Sequence, residues 1–103
     1  MSYEEATKML MTHPRERDVF YRLAILGYQV GDIQKGVVYR SFYGSEGIHK
    51  EIEIAIADAI AQLKVLCLLL NVDFEECDAL GLSRLWDFVH RRLFVPKNKE
   101  ALL

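Results

Sequence analysis

The stretch from Ile54 to Leu70 limits the fold more than any other part of the chain. Its apolar residues lie around most of a helical circumference, and only Asp58, Gln62 and Lys64 break the run. A surface helix carries one apolar stripe, whereas a helix that is apolar on several sides has to be covered on several sides. The run falls short of the roughly 20 apolar residues that span a bilayer, and a charge at the centre of such a span costs about 2.5–3.5 kcal/mol. A buried helix and no membrane partner are therefore expected. With 103 residues in all, the chain has few further elements to provide the cover. A second copy is the expected source of the missing contacts, in a homodimer or homotetramer.

Composition narrows the classes further. Hydrophobic residues make up 51% and charged residues 27%, with only six glycines and two prolines, which excludes a disordered or collagen-like chain. A net charge of −2 lacks the basic footprint of a nucleic-acid binder, so no nucleic-acid partner is expected. Cys67 and Cys77 are the only cysteines. They read as reduced thiols packed as small hydrophobes, and with no secretory-like segment the chain is expected to be cytoplasmic.

No repeat or linker divides residues 1–103, which read as one all-α domain with its core at about 15–93. Ser2 followed by Glu5 forms a capping box for a short helix that His13-Pro14 ends, and Pro14 suits the first turn of the next. From Arg15 to Tyr43 apolar residues recur every three to four positions, predicting a long helix that is irregular near Gly36. The Gly44–Gly47 segment is a turn by composition. A second long helix runs from about Ile48 to Leu70 and stops at Asn71, a residue that tolerates the left-handed conformation. Asp73 with Glu76 caps a short helix to Leu80, and Gly81-Leu82-Ser83 turns the chain again. Leu85, Phe88, Val89 and Leu93 stripe a last helix that Pro96 ends, and the tail beyond it is expected to fray. The two long helices should pair antiparallel, with the shorter ones packed around them.

Polar residues on these helices supply the candidate chemistry. Gly27 and Gly31 lie four apart on one face, each at a cost of about 1 kcal/mol relative to alanine, which suggests a close helix approach there. Gln29 and Asp32 flank them. Glu51, Asp58 and Gln62 project in a similar direction from the second long helix. Antiparallel pairing sets residues 29–32 opposite 55–58, so the two polar sets converge. Such oxygens suit a hard cation such as Mg²⁺ and metal-assisted phosphate chemistry. An ordinary alternative stands beside this one: Asp32 pairs with Lys35, and Asp58 is a satisfied polar group that fixes helix register.

At these residues the chain resembles the all-α nucleoside triphosphate pyrophosphohydrolases, the MazG-like and dimeric dUTPase-like proteins. The family's Glu-Glu-x-Gly-Glu-Leu motif matches Tyr28-Gln29-Val30-Gly31-Asp32-Ile33. Its Glu-x-x-Asp motif matches Ala55-Ile56-Ala57-Asp58, and the segment after the hydrophobic helix matches Asn71-Val72-Asp73-Phe74-Glu75-Glu76. Order and spacing agree over roughly residues 15–93. The resemblance implies a MazG-like helical bundle completed by oligomerisation. It also implies Mg²⁺ held by four acids and water attacking the α-phosphorus of a nucleoside triphosphate, with release of pyrophosphate. Carried over, Asp58 is retained, Asp32 is a shortened acid, Gln29 is a neutral oxygen and Ala55 has no ligand. Glu51 is a compensating acid displaced by about 6 Å along the helix. Asp32 and Asp58 are thus the expected catalytic residues, and Gln29, Asp32, Glu51 and Asp58 the expected metal set. A catalytically inactive relative, serving as an assembly or nucleotide-binding regulatory module, is the second reading.

Three further groups each admit two roles. Arg84, His90, Arg91, Arg92, Lys97 and Lys99 either meet a phosphate or an acidic neighbour, or form a solvated face near a helix C-terminus. Tyr21, Tyr28, Tyr39, Tyr43 and Trp86 either stack a nucleobase or pack as core or subunit contacts. His13, His49 and His90 lack zinc-ligand spacing with either cysteine.

Overall fold

The computed structural model describes residues 1–44 and 48–93. All the regular structure among them is helical: α1 (Tyr3–Leu10), α2 (Val19–Tyr43), α3 (Ile48–Leu70), α4 (Phe74–Phe88) and a π-helical turn (Val89–Leu93). The expected turn at residues 45–47, the stop at Pro96, and the basic residues Lys97 and Lys99 lie outside the described residues. Among the described residues no helix is long and apolar enough to cross a membrane.

The helix ends follow local chemistry. Ser2 accepts the backbone N–H of Glu5 at 3.1 Å and starts α1. That helix stops at Leu10, ahead of the expected His13-Pro14. The Thr12 hydroxyl donates to the Met9 carbonyl at 2.6 Å, and turn bonds take over. The second helix starts at Val19 and not at Arg15. Asp18, in an extended conformation, accepts the N–H groups of Phe20 and Tyr21 at 2.8 and 3.3 Å. Residues 14–17 turn ahead of it, and Glu16 reaches the guanidinium of Arg22 at 2.9 Å. Arg22 is only 6% exposed. Burying that charge requires a counter-ion, and a helix begun at Arg15 would carry Glu16 away from it.

The third helix has the expected span, and Asn71 leaves it at φ 57°. Beyond it the short helix, glycine turn and last helix expected from the sequence are one continuous α4. Asp73 caps it through the Glu76 N–H at 3.0 Å. Gly81 therefore sits within a helix. A single interior glycine costs about 1 kcal/mol, which weakens a helix without ending it.

Residues Met1–Val72 and Asp73–Leu103 form two compact units. In the second, α4 continues into the π-helical turn, where Asp87 pairs with Arg91 at 3.2 Å and His90 Nδ1 donates to the Trp86 carbonyl at 2.8 Å. These bonds tie two members of the basic group to their own helix. In the first unit α3 is central, with α1 and α2 both packed on it. Among the described residues the buried apolar ones, Ile52, Ala55, Ala59 and Val65, all belong to α3. Ala55, Ala59 and Val65 belong to the apolar run expected to be buried, but the rest of that run is half-buried or exposed. A second stripe at i, i+4 and i+7 on the same helix, Ile56, Ile60 and Leu63, stays 41–43% exposed.

One glycine allows α2 and α3 to meet closely, and it is not one of the expected pair. A Cβ at Gly27 or Gly31 would meet nothing within 4 Å. A Cβ at Gly36 would lie 2.8 Å from Cγ1 of Ile52, closer than real methyl contacts allow. The helix expected to be irregular near Gly36 is instead regular there, and uses the missing side chain to admit Ile52.

Candidate functional site

Both walls of a cleft between α2 and α3 are written in sequence as i, i+3, i+4, i+7. Asp32, Lys35, Gly36 and Tyr39 lie along α2, and Glu51, Ile54, Ala55 and Asp58 along α3. These offsets fall on one face of a helix, so each wall is a single stripe. The Gly36–Ile52 contact sets the antiparallel register, bringing Asp32 near the Asp58 end and Tyr39 near the Glu51 end. The cleft they enclose has a volume of ≈ 450 Å³, within the range of small-molecule sites. Ala55 is its buried member, Asp32 and Gly36 are half-buried, and the other lining residues are exposed.

Three of the four expected metal-set residues, Asp32, Glu51 and Asp58, line this cleft. Gln29 does not. It is half-buried, one turn before Asp32 and past the end of the wall. Seven residues at 1.5 Å rise separate Glu51 from Asp58 by about 10 Å along the axis. The acids are therefore divided: Asp32 and Asp58 at one end, Glu51 at the other. Among the described residues no three His, Cys, Asp or Glu side chains gather closely enough to hold a metal ion. Asp32 and Lys35 are not bonded to each other as an ion pair, although they share a wall. The cleft therefore combines three carboxylates with one ammonium on apolar and small residues, and it is net acidic.

Two lining residues were legible only in other roles. Tyr39 is one of several tyrosines that could stack a base, and Lys35 a partner for Asp32. Extending the helical stripe from Asp32 by three, four and seven positions would have put both on the site wall. Tyr39 is also the aromatic residue with a defined partner there, since its ring lies 4.6 Å from that of Tyr43 at an interplanar angle of 40°. No family model, curated protein or solved structure matches the chain.

The donor set bears on whether Mg²⁺ suits the cleft. Mg²⁺ keeps several waters and is commonly held by one or two carboxylates plus substrate phosphates, not by an all-protein cage. Two hard carboxylates at one end of an open cleft fit that pattern. They do not form a site for the bare ion.

Proposed function

We propose that the chain is a MazG-like helical protein that binds a magnesium nucleoside triphosphate in the α2–α3 cleft and hydrolyses it to nucleoside monophosphate and pyrophosphate. The observation that carries this reading is that Asp32 and Asp58, from two helices, both line one cleft large enough for a small molecule. Asp32 and Asp58 are the oxygen donors for the ion. Bound there with the triphosphate, Mg²⁺ supplies charge neutralisation of the phosphoryl oxygens and activation of water. The chain's own residues orient the substrate. The two aspartates fix the polyphosphate end, Lys35 adds a positive contact midway along the wall, and Ile54 and Ala55 provide a low-polarity floor. Water adds to the α-phosphorus, and the bond to the bridging oxygen of the β-phosphate breaks.

Ala55 favours a second reading. It occupies the buried part of the cleft at the position where the resemblance calls for an acid. A site with that acid missing would bind magnesium nucleotide without turning it over, as a regulatory module. The two readings part in a single set of measurements. Pyrophosphate release is followed over a panel of canonical and modified nucleotides, alongside melting with Mg²⁺ alone, nucleotide alone and both together. Either reading expects a melting shift only with both, since ligand binding to the native state stabilises by mass action. The enzyme reading further expects release from at least one nucleotide and its loss in Asp58→Ala. Undiminished turnover in that variant excludes the assigned site. No shift and no release with any nucleotide excludes both readings.

We also propose that a second copy of the chain covers the Ile56–Ile60–Leu63 stripe. Among the described residues four buried apolar ones, all on one helix, make a thin core, and three large aliphatic side chains in register on that helix are left half in water. Light scattering should give a dimer or tetramer, and Ile60→Glu should lower the assembly state. A monomeric native chain refutes this part alone.

A further inference from the structure

The two ends of the cleft differ in chemistry, and the difference assigns an orientation to its ligand. At one end stand the carboxylates of Asp32 and Asp58. About 10 Å along the same walls stand Tyr39 on α2 and Glu51 on α3. Tyr39 lines the cleft and is 48% exposed, and Tyr43 lies against it with ring centroids 4.6 Å apart. An exposed ring braced by a second ring and opening into a cavity has the features of a stacking platform. Glu51 beside it accepts hydrogen bonds from N–H groups, which nucleobases carry and phosphates lack.

We propose that the Tyr39–Glu51 end receives the base of the nucleotide, stacked on the Tyr39 ring, and that the Asp32–Asp58 end receives the phosphates. This rests on the nucleotide reading of the cleft and adds to it a specificity-determining residue, Tyr39, and a direction. The ligand class that follows is a nucleotide with an aromatic base carrying an N–H edge. Inorganic polyphosphate fills only the acidic end, and a sugar phosphate without a base leaves Tyr39 bare. Tyr43 acts through Tyr39 by fixing its ring, and is a positioning residue.

The test compares two ligands on three proteins, all in Mg²⁺ by titration calorimetry. The ligands are a non-hydrolysable nucleoside triphosphate analogue and inorganic tripolyphosphate. The proteins are native chain, Tyr39→Ala and Tyr39→Phe, each checked for a native melting transition. Loss of one stacked base corresponds to a weakening of roughly 5-fold to 150-fold. Tyr39→Ala should weaken the nucleotide by that factor and leave tripolyphosphate unchanged, while Tyr39→Phe retains native affinity for both. Equal weakening of both ligands, or unchanged nucleotide binding in Tyr39→Ala, overturns the assignment while leaving the cleft a nucleotide site. Failure of the native chain to bind the nucleotide at all overturns the nucleotide reading itself, and this inference with it.

Discussion

Replacing Gly36 by alanine tests the α2–α3 seam that forms the cleft. Two effects of opposite sign act at this position. Alanine raises helix stability by about 1 kcal/mol over glycine in a helix interior. Its methyl, however, lands 2.8 Å from Cγ1 of Ile52. Ile52 is 8% exposed and β-branched, so in a helix it has essentially one χ1 rotamer and cannot swing that carbon aside cheaply. Overpacking of this kind costs about 1–3 kcal/mol. The net expectation for Gly36→Ala is a loss of about 0–2 kcal/mol. Gly27 lies in the same helix with nothing within 4 Å of its would-be Cβ, so Gly27→Ala keeps only the gain. Subtracting one variant from the other cancels propensity and leaves the overpacking, about 1–3 kcal/mol. For a unit of this size each kcal/mol shifts the melting temperature by about 4–8 °C.

Urea denaturation at fixed protein concentration, followed by far-ultraviolet circular dichroism, measures both variants, and equal m-values confirm that compactness has not changed. The cycle is completed in an Ile52→Ala background, where the clashing carbon is gone and Gly36→Ala should stabilise. A Gly36→Ala variant as stable as Gly27→Ala, or a cycle with no coupling between positions 36 and 52, would refute the close approach. It would also remove the register on which the pairing of Asp32 with Asp58 depends.

Three local features give further expectations, each read by the same denaturation assay. Asp18→Ala removes a cap that accepts two N–H groups and should cost about 1 kcal/mol, with Asp18→Ser recovering most of it. Glu16→Gln leaves Arg22 buried without its counter-charge; breaking a fully buried pair costs about 3–5 kcal/mol, and the partial exposure of Glu16 reduces this to about 1–3 kcal/mol. Asn71→Val places a β-branched residue at φ 57° and should cost about 1–2 kcal/mol, whereas Asn71→Gly should be neutral or slightly stabilising.

What was legible in the sequence follows the range of the forces involved. The limits of α3 and the Asn71 stop depend on a dense apolar run and on one residue's conformational preference, both local. The start of α2 could not be read from periodicity, because it is set by the Asp18 cap together with a six-residue reach from Glu16 to a buried Arg22. The turn expected at Gly81 failed because helix propensity is a small energy, and an Asp73 cap with helical neighbours on both sides exceeds it. The glycines were misassigned for a related reason. Gly27 and Gly31 have a suggestive spacing, but the cost of a side chain depends on what stands opposite, and only at Gly36 does α3 put a β-branched residue there. For the cleft, the face shared by Glu51 and Asp58 was legible as helical spacing. The seven residues of helix between them, about 10 Å, divide these acids between opposite ends, although Glu51 was expected from sequence to join Asp58 in one metal set. The exclusion of Gln29 needed the structure, because it depends on where the α2–α3 wall ends.

Ala55 offers the most direct test of whether the Asp32–Asp58 end is a metal end at all. It is 7% exposed, at the seam, one turn before Asp58 on the same face. Ala55→Glu introduces a long side chain at a packed position and a negative charge beside two others. Without divalent ions the variant should therefore melt below the native chain, by overpacking of about 1–3 kcal/mol and by like-charge repulsion. Mg²⁺ reverses part of that loss if three carboxylates at that end make a site for the bare ion. At a hundredfold excess over its dissociation constant, the ion then returns about 2.7 kcal/mol. The native chain, with two carboxylates at that end, should show no shift with Mg²⁺ alone. The discriminating quantity is thus the Mg²⁺-induced change in melting temperature of the variant minus that of the native chain, at constant ionic strength set with NaCl. A clearly positive difference supports a metal end that lacks one ligand. A difference of zero means that Asp32 and Asp58 do not share a bare ion with this position, and the reading of Ala55 as a missing ligand fails.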